Sequence, residues 1–337
     1  MALALAEAGW RVTGSDVAPT VESDALNAGV VADVAPHASL ELVVIATPAG
    51  AVADVARQYL ARFASSALIV TDVAGVKSSI VRDVTDPRFL GGHPMAGSEL
   101  RGLKGARADL FQGCTWVLTP TSATPADLYT RLHGIWREVG ANVVAVAADD
   151  HDRLVALASH VPHLLAGALM NQAADTARED AVLLQLAAGG FRDMTRIAAG
   201  DPTIWPDILF ENHQAVRDAL IALESRLGAL RAALESRDRP ALESSLASAA
   251  VARRHLPGRA LNSDDMAYLR VMIADRPGSL AHVTTTASEM LVNIYDIEIA
   301  HALEVARGAL LLAVDANDAA RFMGALESLD YVVVRES

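Results

Sequence analysis

The sequence contains a single cysteine, Cys114, among its 337 residues. This excludes a disulfide within the chain and a metal site built from several cysteines. The opening segment also lacks the basic start of a signal peptide, contains Glu7, and reaches Gly9 too early for one. We expect no later apolar run to be long enough to cross a bilayer. These absences predict a soluble protein of the reducing cytoplasm.

The sequence also has fewer basic than acidic residues: 28 Lys and Arg against 41 Asp and Glu, which gives a net charge of -13. A nucleic-acid backbone or an anionic membrane surface is therefore not expected as a partner. A small anion held by one or two arginines is compatible with this charge. The length predicts two or three domains, each with its own core.

The first part of the chain alternates apolar strands with helices. Residues 1–9 are predicted as a helix and "RVTGSD" as a short strand that ends at Asp16. Two further strands, 40–50 and 66–75, are apolar throughout and flank a helical segment, which favours a doubly wound parallel sheet. Ligands of such sheets lie beyond the carboxyl ends of the strands. The residues expected at that crevice are Asp16, Thr47, Pro48, Asp72 and the segment that reaches His93.

Asp16 has two interpretations. An acid at the end of the second strand can accept hydrogen bonds from the ribose of a dinucleotide such as NAD, whereas many strands end in Asp because it suits the turn. The glycine-rich phosphate turn would precede it by about twenty residues, before Met1. We therefore expect the first strand and the glycine-rich loop to be missing from this chain, through a misassigned start or a truncation.

From about residue 150 the spacing of apolar residues predicts helices with no intervening strand. Their apolar faces exceed what one short bundle would bury, which favours a helical homodimer. A charged, turn-rich linker follows, and after it comes a unit with the order strand, helix, strand, strand, helix, strand. The predicted domains are 1–149, 150–255 and 267–337, with 256–266 as the linker.

Two motifs contain candidate chemistry. "GGHPMAGSE" places His93 where a neutral imidazole could accept a proton, although a histidine that only stabilises a turn would look the same. "GGFRDMTRIAAGDPTIW" sets Arg192, Asp193 and Arg196 within about one helical turn of one another, after a diglycine. An arginine there could present its planar fork to a carboxylate, or could pair weakly with surface acids.

These motifs, together with "ASHVPHLLAGAL", resemble the prephenate dehydrogenase family, and the resemblance covers nearly the whole chain. The last segment, with "DRPGSLAHV" and "NIYDIEIAH", resembles an ACT domain, a module that commonly binds regulatory amino acids. The resemblance implies a Rossmann-like doubly wound domain, an all-helical dimerisation domain and a ferredoxin-like α+β ACT domain. It also implies NAD as the cofactor and oxidative decarboxylation of prephenate to 4-hydroxyphenylpyruvate in tyrosine biosynthesis.

The resemblance also assigns roles to residues. His93 corresponds to the histidine that accepts a hydrogen bond from the substrate hydroxyl, and Arg196 to the arginine that binds a substrate carboxylate. Trp205 corresponds to a tryptophan that reaches the active site across the dimer, and His163 to a position near the substrate side chain and the tyrosine inhibitor. The other expected substrate-site residues are Ser98, Glu99, His160, Arg192 and Asp193.

Three positions leave alternatives open. Gly75, in "DVAGVK", stands where relatives commonly have a serine that orients the histidine and the nicotinamide, so catalysis could be slower or a water could replace the hydroxyl. His160 and His163 lie three residues apart on a helix that Pro162 should kink, but no third metal ligand is evident. Helix packing explains His160 equally well.

Two other functions are compatible with the sequence. An arogenate dehydrogenase would differ only in the amine that replaces the substrate ketone. A catalytically silent amino-acid sensor would retain the helical dimer and the ACT-like module. In that module Gly278 and Asn293 resemble positions near the effector pocket, although Gly278 would also suit its turn.

Overall fold

The structure is a computed structural model that describes residues 1–34, 40–97, 102–180, 182–254, 266–274, 279–301 and 307–336. The chain divides into two compact units, Met1–Ala232 and Ala233–Ser337. Three predicted site residues, Ser98, Glu99 and Gly278, lie outside the described residues. The predicted domain boundary at 149/150 falls inside the first unit, and that set of boundaries stays a prediction.

The first unit opens with an α/β region. Strand β2 ends at Asp72, as the sequence predicts, and pairs in parallel with β1. Its residues Ile69 and Val70 are fully buried, which explains why the strand is apolar throughout. The elements of this region are α1 (Ala2–Glu7), α2 (Pro19–Asn27), β1 (Leu42–Ile45), α3 (Ala49–Arg62), β2 (Ile69–Asp72), α4 (Ser78–Asp83), β3 (Gly91–Pro94), β4 (Thr115–Thr119), α5 (Ala126–Glu138) and β5 (Asn142–Ala145).

The predicted all-parallel sheet is wrong at β3. This strand pairs antiparallel with β4, whereas β4 and β5 are parallel. The connection between β3 and β4 contains two short 3₁₀ turns, Gly102–Gly105 and Ala108–Phe111, and no crossover helix among its described residues. A parallel pair would need such a crossover. Residue Phe89, just before β3, forms a parallel bridge with Val70, so His93 still lies beside the end of β2.

The strand predicted at 11–16 is also reduced. Thr13 forms only an isolated parallel bridge with Asp33, and Asp16 lies in the turn that leads to α2. One oxygen of Asp16 accepts a hydrogen bond from the backbone nitrogen of Ala18 at 2.8 Å. Asp16 therefore does not close a strand in the described structure.

The rest of the first unit is helical, as predicted. It comprises α6 (Ala148–Val155), a π-helical turn (Ala156–His160), α7 (Val161–Glu179), α8 (Val182–Leu186), α9 (Gly189–Thr195), a 3₁₀ turn (Arg196–Ala199), α10 (Trp205–Glu211) and α11 (His213–Glu235). The π-helical turn, which ends one residue before Val161, is the irregularity that accommodates Pro162.

The run Ala148–Glu179 is long and apolar enough to cross a membrane by length and composition, with a hydropathy of 1.3 over its most apolar window. This corrects the expectation that no such run exists. Its residues His151, Asp152 and His160 are buried in the protein. One such helix is therefore weak support for a membrane protein.

The second unit has the order predicted for the last segment. Four strands form one antiparallel sheet in the order β7-β8-β6-β9, which is the ferredoxin-like arrangement. Leu269, Leu310 and Phe322 are fully buried between the sheet and its helices. The elements are α12 (Arg239–Arg254), β6 (Met266–Ala274), α13 (Ser279–Glu289), β7 (Ile294–His301), β8 (Arg307–Asp315), α14 (Ala316–Ser328) and β9 (Val332–Glu336).

Candidate active site

A buried ion pair lies at the carboxyl end of β2. Lys77 and Asp72 are both fully buried, and the Lys77 ammonium contacts the Asp72 carboxylate. That carboxylate also accepts hydrogen bonds from the backbone nitrogens of Ala74, at 3.0 Å, and Gly92, at 3.1 Å. Burial lowers the pKa of Lys77, although Asp72 and Asp152 oppose the shift. Asp72 was expected to contact the cofactor. Both of its oxygens are engaged inside the protein and fix the turn after β2 against β3, and its role at the cofactor stays a prediction.

Beside this pair, three side chains form a line of hydrogen bonds. The Nδ1 atom of His93, on β3, lies 2.9 Å from the Nε2 atom of His151, on α6. The Nδ1 atom of His151 lies 2.8 Å from Oδ1 of Asp152. The planes of the two imidazole rings meet at 72°. The line therefore runs from a strand of the sheet into the first helix of the helical region.

Asp152 is held by the start of α4. The backbone nitrogens of Lys77 and Ser78 each donate to its carboxylate at 2.8 Å. Burial by itself would raise the pKa of Asp152, but the hydrogen bonds from His151, Ser78 and Lys77 outweigh it and lower the pKa. Asp152 is therefore a carboxylate at neutral pH.

For neutral imidazoles, the charge on Asp152 sets the direction of the hydrogen bonds along the line. A carboxylate accepts, so Nδ1 of His151 carries a proton and its Nε2 is an acceptor. Nδ1 of His93 then donates to that acceptor, which leaves Nε2 of His93 with a free lone pair. Burial lowers the pKa of His93 to about 3, helped by the nearby Lys77, His151 and His160 and opposed by Asp152. His93 is thus a neutral hydrogen-bond acceptor at physiological pH.

Two observations fit a cofactor near this acceptor. A Cβ atom built on Gly75 would lie 3.9 Å from Nε2 of His93 and would meet no closer neighbour. The Oγ1 atom of Thr47, after β1, is buried and has no hydrogen-bond partner within the protein. Pro48 follows it at the start of α3. A bound nicotinamide ribose could hydrogen-bond to the unpartnered hydroxyl and fill the open space beside the imidazole.

The helical region approaches the same line through Asn212. Its Nδ2 atom donates to the backbone oxygen of Asp152 at 2.8 Å and lies 3.3 Å from Nδ1 of His160. His160 is 2% exposed, as the helix-packing alternative expects, and its role at the substrate stays a prediction. Burial lowers its pKa, with a smaller opposing contribution from Asp152. His160 therefore packs the helices together.

Trp205 joins this network to the partly buried His163. Their rings stack with centroids 3.6 Å apart, and the ring of His160 meets the indole nearly at a right angle with centroids 6.2 Å apart. The Cε1 atom of His163 also lies 3.4 Å from the Cβ position of Gly200, next to the 3₁₀ turn that begins at Arg196. Burial lowers the pKa of His163. These contacts lie within one chain, and the approach of Trp205 to a partner's site stays a prediction.

The arginine cluster lies on the surface. Arg192, Asp193 and Arg196 are exposed at the end of α9 and in the 3₁₀ turn that follows it. The Nε atom of Arg192 donates to the backbone oxygen of Ala187 at 3.2 Å. Asn293 is exposed before β7 in the second unit. The ligand-binding roles of these residues stay predictions.

Sequence reasoning missed His151, Asp152, Lys77 and Asn212. Lys77 stands in the quoted segment "DVAGVK", but nothing in that segment shows that Asp72 is its partner. His151 and Asp152 open an amphipathic helix, where polar residues ordinarily face water. Both are buried instead, at 2% and 4% exposure. A polar pair at the junction between strands and helices was the available signal.

Comparisons with known proteins identify the family of this chain. Residues 1–145 match the family model "Prephenate dehydrogenase, nucleotide-binding domain", and residues 147–248 match "Prephenate dehydrogenase, dimerization domain". A prephenate dehydrogenase of Bacillus subtilis is 29% identical over 92% of this chain and 86% of its own length. A cyclohexadienyl dehydrogenase of Zymomonas mobilis is 33% identical over 59% of this chain and 69% of its own length.

A solved structure is also similar. It is a prephenate dehydrogenase from Aquifex aeolicus in complex with hydroxyphenyl propionate and NAD+, with a TM-score of 0.71 and 28% identity, covering 76% of this chain and 93% of that one. The nucleotide-binding and dimerisation domains that these matches identify define an NAD-dependent dehydrogenase. Within that class, the chain belongs to the prephenate dehydrogenase family.

Proposed function

We propose that this chain catalyses the NAD-dependent oxidative decarboxylation of prephenate to 4-hydroxyphenylpyruvate. The observation that carries the proposal is the line of hydrogen bonds from Asp152 through His151 to Nδ1 of His93, which leaves Nε2 of His93 as an acceptor beside Gly75 in a nucleotide-binding domain of this family. An acceptor at this place can take the hydrogen bond of a ring hydroxyl while hydride leaves the same carbon.

The residues divide the work between the sheet and the helices. Thr47, Pro48 and Gly75 hold the nicotinamide end, and Asp16 binds the ribose hydroxyls. Bound NAD supplies the hydride acceptor. His93 orients the hydroxyl and relieves its proton, and Arg196 binds a substrate carboxylate through charge-assisted hydrogen bonds. Loss of CO₂ from the opposite ring carbon makes the ring aromatic and drives the reaction forward.

The remaining substrate-site residues surround the substrate side chain. His163 and Trp205 form an aromatic wall, and Ser98, Glu99, Arg192 and Asp193 form the polar entrance. The helical region forms a homodimer of a cytoplasmic enzyme. The ferredoxin-like segment is an ACT-like module in which Asn293 and Gly278 border an effector pocket, with tyrosine as the effector.

Turnover by the purified full chain tests the proposal. Production of NADH from prephenate is expected in the wild type, and His93→Asn should lower kcat by about 10²–10³-fold with little change in KM, because a preorganised hydrogen bond is lost. Comparing kcat/KM for prephenate and arogenate distinguishes the two dehydrogenases. Absence of both NAD binding and turnover would instead favour the silent sensor.

A further inference from the structure

His151 and Asp152 extend beyond what a single hydrogen-bond acceptor requires. His93 alone would suffice to orient a hydroxyl, yet its Nδ1 atom lies 2.9 Å from a second imidazole, which lies 2.8 Å from a carboxylate. His151 is 2% exposed and Asp152 is 4% exposed, so solvent does not compete for these bonds. A line of hydrogen bonds that is shielded from solvent in this way can transfer a proton as well as orient a ring.

We propose that His151 is a positioning residue that receives a proton from His93 and holds it beside Asp152 during hydride transfer. This inference rests on the function proposed above. It adds a second proton transfer and a resting place for the positive charge, 2.8 Å from the nearest carboxylate oxygen.

The steps balance as follows. As hydride leaves the ring carbon, the O–H bond of the substrate hydroxyl breaks, its electron pair forms the carbonyl, and its proton goes to Nε2 of His93. The proton on Nδ1 of His93 goes to Nε2 of His151, so His93 remains neutral and His151 becomes cationic. When the bond to CO₂ breaks, its electrons make the ring aromatic and both protons return. No proton is gained or lost overall.

Protonation of His93 is penalised by its surroundings. Burial is the largest cause of its lowered pKa, and Lys77, His151 and His160 add to it. The Asp152 carboxylate contacts His151 directly and reaches His93 only through it. Asp72 does not compensate His93, because Lys77 and two backbone nitrogens occupy its oxygens. A proton that stayed on His93 would therefore destabilise the transition state.

His151→Gln tests the relay. The glutamine amide oxygen can still accept from Nδ1 of His93, but it cannot take a proton. We expect kcat for prephenate to fall by about 10²-fold with KM unchanged. In mixtures of H₂O and D₂O, single-turnover rates of the wild type should give a curved proton inventory, from two protons in motion, and those of the variant a straight one. His213→Gln, at an exposed histidine, is the matched control.

A second variant keeps the test valid if His151→Gln does not fold. In His151→Ala, added imidazole should restore turnover, because it can fill the vacated site and accept the proton. Wild-type turnover with full activity in His151→Gln would overturn the relay and leave the proposed function intact. Reduced activity with an unchanged inventory and no rescue by imidazole would overturn it as well. A wild type that does not oxidise prephenate would overturn the proposed function itself.

Discussion

The tautomer that leaves Nε2 of His93 as an acceptor depends on a charge two side chains away. The Asp152 carboxylate accepts from His151, which in turn accepts from Nδ1 of His93. Each bond sets the direction of the next, so one buried carboxylate determines the tautomer of both rings. Burial keeps His93 neutral by lowering its pKa, and Lys77 adds to this shift. At the residue scale, the proposed function depends on which nitrogen of His93 is the acceptor, and not only on the presence of an imidazole.

Stability at acid pH should report the neutral state of His93. Its pKa is lowered to about 3 in the folded chain, whereas an unfolded histidine titrates near 6.5. Between these values the unfolded state binds more protons than the folded state. The contribution of His93 to the free energy of unfolding is therefore complete above pH ~6.5 and is lost as the pH drops towards 3. The slope from one such group is at most about 1.4 kcal/mol per pH unit.

Urea unfolding at several pH values between about 7 and 4 measures this slope. In His93→Gln it should be shallower than in the wild type, while His160, His163 and Asp152 contribute equally to both proteins. Equal slopes would contradict the assignment.

The acid limb of kcat should likewise lie well below the ordinary histidine pKa, because His93 stays unprotonated there.

Gly75→Ser should raise kcat. The new Cβ atom would lie 3.9 Å from Nε2 of His93 without a close contact, so a serine hydroxyl can reach the crevice beside the imidazole. One added hydrogen bond of about 1 kcal/mol predicts an increase of about fivefold in kcat. Gly75→Ala is the matched control and should leave kcat unchanged. A serine variant no faster than the alanine variant would show that the hydroxyl adds nothing at this position.

At the scale of elements, the site depends on how closely β3 approaches β2. The backbone nitrogen of Gly92 donates to Asp72, and a Cβ atom on Gly92 would lie 2.9 Å from the backbone oxygen of Asp72 and 3.0 Å from Oγ1 of Thr71. Only glycine allows this approach. The diglycine before His93 therefore serves packing, and through packing it places His93 near α6.

Gly92→Ala should separate β3 from β2 and destabilise the protein by about 1–3 kcal/mol, as overpacking does in other cores. Urea denaturation measures the change. Gly134→Ala, on α5, is the control, because its Cβ meets no atom within 4 Å. That control should be neutral or stabilising by up to about 1 kcal/mol. An alanine at 92 tolerated as well as one at 134 would show that the approach is looser than the distances indicate.

At the scale of the whole molecule, helix α11 has an apolar seam with heptad spacing. Its members are Val216, Leu220, Leu223, Leu227, Leu230 and Leu234. Val216 is buried, but Leu227 is 52% exposed and Leu234 is 64% exposed. A seam that remains open in one chain is typical of a helix that packs against another copy. It supports the proposed homodimer.

Leu227→Asp should weaken that dimer, because association would bury an unpaired carboxylate in the seam. Sedimentation velocity is expected to show a shift from dimer to monomer at micromolar concentration. Ser225→Asp introduces the same charge at an exposed position outside the seam and should remain dimeric. If both variants sediment as the wild type does, α11 is not the interface.

The sequence by itself determined the classes of element, because apolar periodicity and turn residues are local properties. It predicted the strand that ends at Asp72, a helix over 51–63 that the structure places at Ala49–Arg62, the helical middle segment and the strand and helix order of the last unit. The motif around His93 and the family resemblance also required no coordinates. These features depend on neighbours within a few positions of one another in the chain.

Only the tertiary structure decided which distant groups share a proton. His93 and His151 are 58 residues apart, and Lys77 and Asp152 are 75 apart, so no local pattern joins them. The antiparallel pairing of β3 with β4 and the burial of Asp72 were likewise set by packing between elements distant in the chain. A buried polar group must find a partner wherever the fold offers one, and that choice is made in space.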